Sequence, residues 1–151
     1  MHYFGYKIHA VCTVQGVIKI FDISKASCHD IFYLNDVKSQ LNHCVLIGDK
    51  GYLSRAVQAD LFEESGIELS TPKRANQPDA KLYPKEFRRA RKRIETLFSQ
   101  LCDQFMIRRN YAKQFQGFTA RISAKITAFT FIQWLNVQNG NKMNNIKIAF
   151  S

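Results

Sequence analysis

Between His43 and Gly48 the chain reads Cys44-Val45-Leu46-Ile47, a short and wholly apolar run. A strand with one wet face alternates apolar and polar residues. A continuous run fits a strand covered on both faces, as in a parallel sheet flanked by helices. The neighbouring segments agree with that arrangement. Residues 3–14 are rich in aromatic and β-branched side chains and predict a strand. Gln15-Gly16 is a turn signal, and residues 17–24 predict the second arm of a hairpin. Ser27 is positioned to cap a helix over residues 29–41, in which Ile31, Leu34, Val37 and Leu41 recur at helical spacing. Ser54 caps a predicted helix over 55–65 that Gly66 ends, and 67–70 is another short strand.

All three prolines fall between Thr71 and Pro84, which therefore reads as a loop. Two helices follow, over 85–105 and about 118–137, with Asn- and Gly-bearing residues after them. The expected organisation is one α/β domain over residues 1–138, a mixed sheet with helices on its faces, and a loose tail over 139–151.

Composition narrows the partners. Hydrophobic residues make up 46% of the chain, enough for a buried core, and the net charge is +10. A surplus that large attracts polyanions, nucleic acid foremost. No two of Cys12, Cys28, Cys44 and Cys102 form a C-x-x-C pair, so neither a zinc knuckle nor a redox motif is written here. The scattered thiols, the lack of a signal sequence and the shortness of the apolar stretch 126–135 predict a soluble cytoplasmic protein without a membrane partner.

Three features carry chemistry. Asp49, in Gly48-Asp49-Lys50-Gly51-Tyr52, follows the buried run, and ligands of open α/β sheets gather at carboxyl ends of strands. It reads equally well as a turn residue. Glu95 follows the core-facing Ile94 on the long helix, with Arg91 four residues earlier, and reads either as a functional carboxylate or as half of a surface ion pair. The third feature is a run of nine basic residues: Lys73, Arg74, Lys81, Lys85, Arg88, Arg89, Arg91, Lys92 and Arg93, opposed only by Asp79 and Glu86. It covers several faces of one helix and the loop before it, a density that phosphate binding explains better than a solvated helix face does. Asp22, on the second strand of the hairpin, reads as structural or exposed, and Asp30 as a charge at a helix start.

Five blocks in order, YFGYKIHAVCT, Ala26-Ser27-Cys28-His29-Asp30, LIGDKGY, RRARKRIETLFSQL and GFTARISAKITAFTFIQWLN, give the chain a resemblance to the DDE transposases of bacterial insertion sequences. The resemblance implies a ribonuclease H-like fold. It implies that Asp49 is the second aspartate of a metal-binding triad and Glu95 its glutamate, together holding Mg²⁺, with Mn²⁺ as the alternative. It implies cleavage and strand transfer of DNA, with the element's ends and target DNA as partners and self-association or joining to full-length copies as further contacts. Arg91 matches the family's arginine four positions before the glutamate. Arg88 and Cys102 stand where relatives often carry Tyr and Lys. The family's first aspartate lies on a strand before the YFGYKIH block, and residues 1–21 contain no Asp or Glu. A sheet lacking that central strand, and a chain inactive alone, are therefore expected. The alternatives are a non-catalytic DNA-binding remnant and a metal-dependent nuclease or RNA-binding domain of the same fold.

Overall fold

The computed structural model describes residues 5–73 and 83–147. The chain is α/β and divides into two compact units, the first comprising residues 1–10 and 20–92 and the second residues 11–19 and 93–151. Two continuous elements contribute to both, a hairpin and a long helix. The hairpin is β1 (Tyr6–Cys12) paired with β2 (Ile18–Lys25).

In the first unit a single 3-10 turn, Asp30–Phe32, leads into α1 (Tyr33–Gln40). Ser27 is not its cap. His29 holds the cap position of the 3-10 turn without a side-chain bond, so the helix begins later than its periodicity suggests. Then come β3 (Val45–Ile47), α2 (Arg55–Ser65) and β4 (Glu68–Ser70). Both ends of α2 are where the residues put them. The Ser54 hydroxyl accepts from the Val57 N–H at 3.5 Å, and Gly66 closes the helix at φ +63°, a left-handed conformation that glycine adopts without a Cβ penalty.

β3 and β4 run parallel, with Val45 opposite Glu68, Leu46 opposite Leu69 and Ile47 opposite Ser70. The core of this unit is Tyr33, Leu34, Val37, Leu61, Ile67 and Leu69. The expectation that β3 is covered on both faces needs correction: Val45 is 52% exposed and Leu46 and Ile47 are half-buried. The strands form two two-stranded sheets, β1–β2 and β3–β4, rather than one mixed sheet. Among the described residues β3 has β4 as its one strand neighbour, and β1 does not pair with it.

The second unit is built on the later part of α3 (Lys85–Phe105) and on α4 (Phe115–Gln138). Leu97 and Leu101 of α3, Ile107, and Ile122, Ile126, Phe129 and Ile132 of α4 are among its buried apolar residues, and the Phe105 and Phe129 rings meet edge to face at 5.7 Å. Residues 139–147 fold back instead of trailing. Asn136, fully buried, donates from Nδ2 to the Met143 and Asn145 carbonyls at 3.1 and 3.0 Å, and Ile146 is buried. Gln133 Nε2 donates to the Gly16 carbonyl and to Asn144 Oδ1, both at 2.8 Å. Gly16 sits at φ +101°, where a Cβ would come within 2.9 Å of Arg93 Cδ, so this turn requires glycine twice over.

One buried polar group of the first unit has a pH consequence. His9 of β1 is 6% exposed, shares a 2.8 Å hydrogen bond between Nε2 and Ser24 Oγ, and stacks on Tyr33 at 5.0 Å. Burial holds its pKa below the ordinary 6.5, and Lys7 adds to that, while Asp30, Asp22 and Asp36 oppose it. Between the folded and unfolded pKa values the unfolded chain binds the proton and the folded one does not. Stability is therefore full above the unfolded value and falls as pH drops through it. The melting temperature is expected to fall between about pH 7.5 and about pH 5.5, and to fall less in His9→Gln. Equal falls in the two proteins would move the effect to other groups.

Candidate metal and nucleic-acid site

Asp49 stands two residues beyond β3, and its place is set by backbone bonds. The Gly48 N–H donates to the Ser70 carbonyl at 2.9 Å, extending the parallel ladder to the residue before Asp49. A second 3-10 turn, Lys50–Tyr52, begins at once, and Asp49 caps it: Oδ1 accepts from the Lys50 N–H at 2.6 Å. The carboxylate itself is 70% exposed. Asp49 is thus at once a turn residue and a residue at the end of a strand, and its carboxylate faces solvent.

Arg91, on the part of α3 that belongs to the first unit, places Nη1 3.4 Å from Asp49 Oδ1. That separation is long for a hydrogen bond, and both groups are exposed enough that the pair contributes under ~1 kcal/mol. Its value is positional: it sets a cation beside the carboxylate. Asp30, the charge expected at a helix start, opens the first 3-10 turn. It also receives Lys7 Nζ at 2.8 Å and lies 3.9 Å from where a Cβ on Gly51 would stand, against the turn that Asp49 caps. Burial, then Asp30 and Asp49, push the Tyr52 phenol pKa up. The spacing of these residues in the sequence carries no signal of this grouping. Asp22 is exposed and accepts its neighbour Ile23 N–H at 2.7 Å, a local role as expected.

Glu95 is exposed on α3, in the portion that belongs to the second unit. Of the cationic run, Lys73, Lys85, Arg88, Arg89 and Lys92 are exposed, and Arg91 and Arg93 are half-buried. Arg74 and Lys81 lie outside the described residues. Arg93 is partly structural, its stem lying over the Gly16 turn. Near the carboxyl end of β4 an open groove of about 500 Å³ is lined by Arg55, Gln58, Glu68, Ser70, Thr71 and Lys73 among others. Among the described residues no three His, Cys, Asp or Glu side chains gather into a group that could hold a metal ion. No described helix is long and apolar enough to cross a membrane.

A family model, described as the transposase DDE domain, matches residues 2–131. The chain belongs to the DDE transposase family. The match takes in β1 through most of α4, and with them Asp49, Glu95 and the cationic helix. Comparison with curated proteins and with solved structures gives no match. Transposases of this family act on DNA. Because the Asp49–Arg91 contact is long and exposed, the coupling energy of this pair in a double-mutant cycle of Asp49→Ala and Arg91→Ala is expected to stay below ~1 kcal/mol. A coupling of several kcal/mol in chemical denaturation would show that the pair holds the fold.

Proposed function

We propose that this chain acts in DNA transposition, by metal-dependent cleavage of phosphodiesters and strand transfer at the ends of an insertion sequence. The family match over residues 2–131 carries the reading, because it spans both candidate carboxylates. The same membership supports a ribonuclease H-like fold. On that membership Asp49 and Glu95 are two of the family's acidic ligands.

The donors suit a hard divalent cation such as Mg²⁺ or Mn²⁺, since both are exposed carboxylates. Asp49 and Glu95 would hold such an ion, which would supply charge stabilisation for a displacement at phosphorus. The chain's own groups do the rest. The Lys50 N–H orients the Asp49 carboxylate, and Arg91 offsets its charge in the absence of other cations. Lys73, Arg74, Lys85, Arg88, Arg89, Arg91, Lys92 and Arg93 hold the DNA backbone, which positions the strand without reading its sequence. The resemblance calls for a triad of acidic ligands and these residues supply two candidates, so the 151 residues assayed alone are expected to bind DNA without transferring strands.

Two measurements test this reading. Duplex binding by fluorescence anisotropy is expected to weaken at least tenfold between roughly 50 and roughly 200 mM salt, and to weaken at every salt concentration in the Arg88→Ala/Arg89→Ala double variant. Salt-independent binding would exclude the phosphate role. Mn²⁺ binding followed by electron paramagnetic resonance is expected to drop in Asp49→Asn and in Glu95→Gln alike. A drop in only one of them would mean that the two carboxylates do not share a metal. Strand transfer by the wild-type chain that Glu95→Gln abolishes would show that it needs no further ligand.

A further inference from the structure

The connection between α3 and α4 shows a different kind of surface. Arg108, Arg109 and Lys113 are exposed there, and between them Tyr111 is 81% exposed. Met106 and Phe115, at 51% and 49%, flank the segment. The loop is held firmly. Met106 takes φ +48° and its carbonyl accepts the Arg109 N–H at 2.9 Å, while Ile107 plugs into the core at 4% exposure. Lys125 of α4 donates to the carbonyls of Met106 and Arg109 at 2.9 and 3.4 Å. Asn110 grips both sides of the tip: its Nδ2 donates to the Phe118 carbonyl at 3.0 Å, and its Oδ1 accepts the Ala112 N–H at 3.2 Å. Folding therefore spends hydrogen bonds on a loop whose most prominent side chain contributes little to any core. An aromatic ring held outward among three cations matches the chemistry of a nucleic-acid strand, which offers a flat base beside each phosphate.

We propose that this loop is a binding site for unpaired DNA, in which the Tyr111 ring stacks on an exposed base and Arg108, Arg109 and Lys113 hold the adjoining phosphates. Bases inside a duplex are already stacked on one another, so the ring adds affinity only where a strand is single. The cations serve either form. The proposal rests on the reading of the chain as a DNA-binding transposase and adds a preference that the cationic helix alone does not supply.

The test uses the whole chain and anisotropy with three labelled probes: an oligothymidylate of about 20 nucleotides, a blunt duplex of about the same length, and an oligouridylate. Tyr111→Ala is expected to weaken the oligothymidylate complex by roughly tenfold and the duplex complex by less than about twofold, while Tyr111→Phe keeps wild-type affinity for both. Equal losses on both DNA probes, no loss on oligothymidylate, or Tyr111→Phe behaving as Tyr111→Ala would overturn the stacking site. Tighter binding of oligouridylate than of oligothymidylate would assign the loop to RNA and overturn it as well. If duplex binding is salt-dependent and Tyr111→Ala has no effect on any probe, this site alone falls. If the wild-type chain binds neither DNA probe, the DNA-binding reading falls with it.

Discussion

The parallel pairing of β3 with β4 is the constraint on which the first unit and its candidate site depend. Parallel neighbours cannot be joined by a tight turn, so the chain must leave the sheet and return, and α2 is that return. Its two ends are set by Ser54 and Gly66, which leaves little freedom in where β4 begins. Bonds from His43 N–H to the Ser65 carbonyl, from Glu68 N–H to Cys44, and from Gly48 N–H to Ser70 then lock the register from one end to the other. Asp49 is the first residue beyond that lock. Its exposure and its fixed position have the same origin: the ladder ends just before it, and a capped turn begins on it.

The basic residues counted along residues 73–93 are not equivalent once folded. Arg91 faces a carboxylate from 42 residues away, and the stem of Arg93 covers a glycine turn. Lys73, Lys85, Arg88, Arg89 and Lys92 are the exposed members among those described. Charge in a sequence thus overstates the charge that a polyanion meets, because part of it also shapes the protein. A similar mixture appears after α3, where Lys125 gives its ammonium to two backbone carbonyls while Arg108 and Arg109 stay exposed.

What was legible in the sequence was local. The extent of α2 follows from its caps and that of α3 from its long amphipathic repeat, and both are found as expected. Asp49 at the end of a strand was legible because the apolar run before it is short and the Gly-Asp step stops it. The exposure of β3 was not, since what packs over each face of a strand is tertiary and an apolar run does not encode it. The start of α1 was misplaced because Ser27 has the chemistry of a cap but the chain takes a 3-10 turn first. His9, Gln133 and Asn136 are buried polar residues, and composition places such residues outside. Only distant partners make their burial affordable: Ser24 for His9, and the Gly16 turn and residues 143–145 for the two amides.

Those amides also bear on when the protein can take shape. Gln133 reaches a carbonyl 117 positions earlier, and Asn144 donates to the Gln15 carbonyl across 129 positions. Contacts this remote carry a large loop-closure cost and form late. On a ribosome the helices and the parallel pair of the first unit can assemble once residue 92 has emerged. At the Gln15-Gly16 turn, among the earliest residues made, the Gly16 carbonyl must wait for Gln133 and the Gln15 carbonyl for Asn144. Nascent chains that stop short of Asn144 should therefore hold a folded first unit and an open second one, a state in which limited proteolysis would cut after α3 long before it cut within α2.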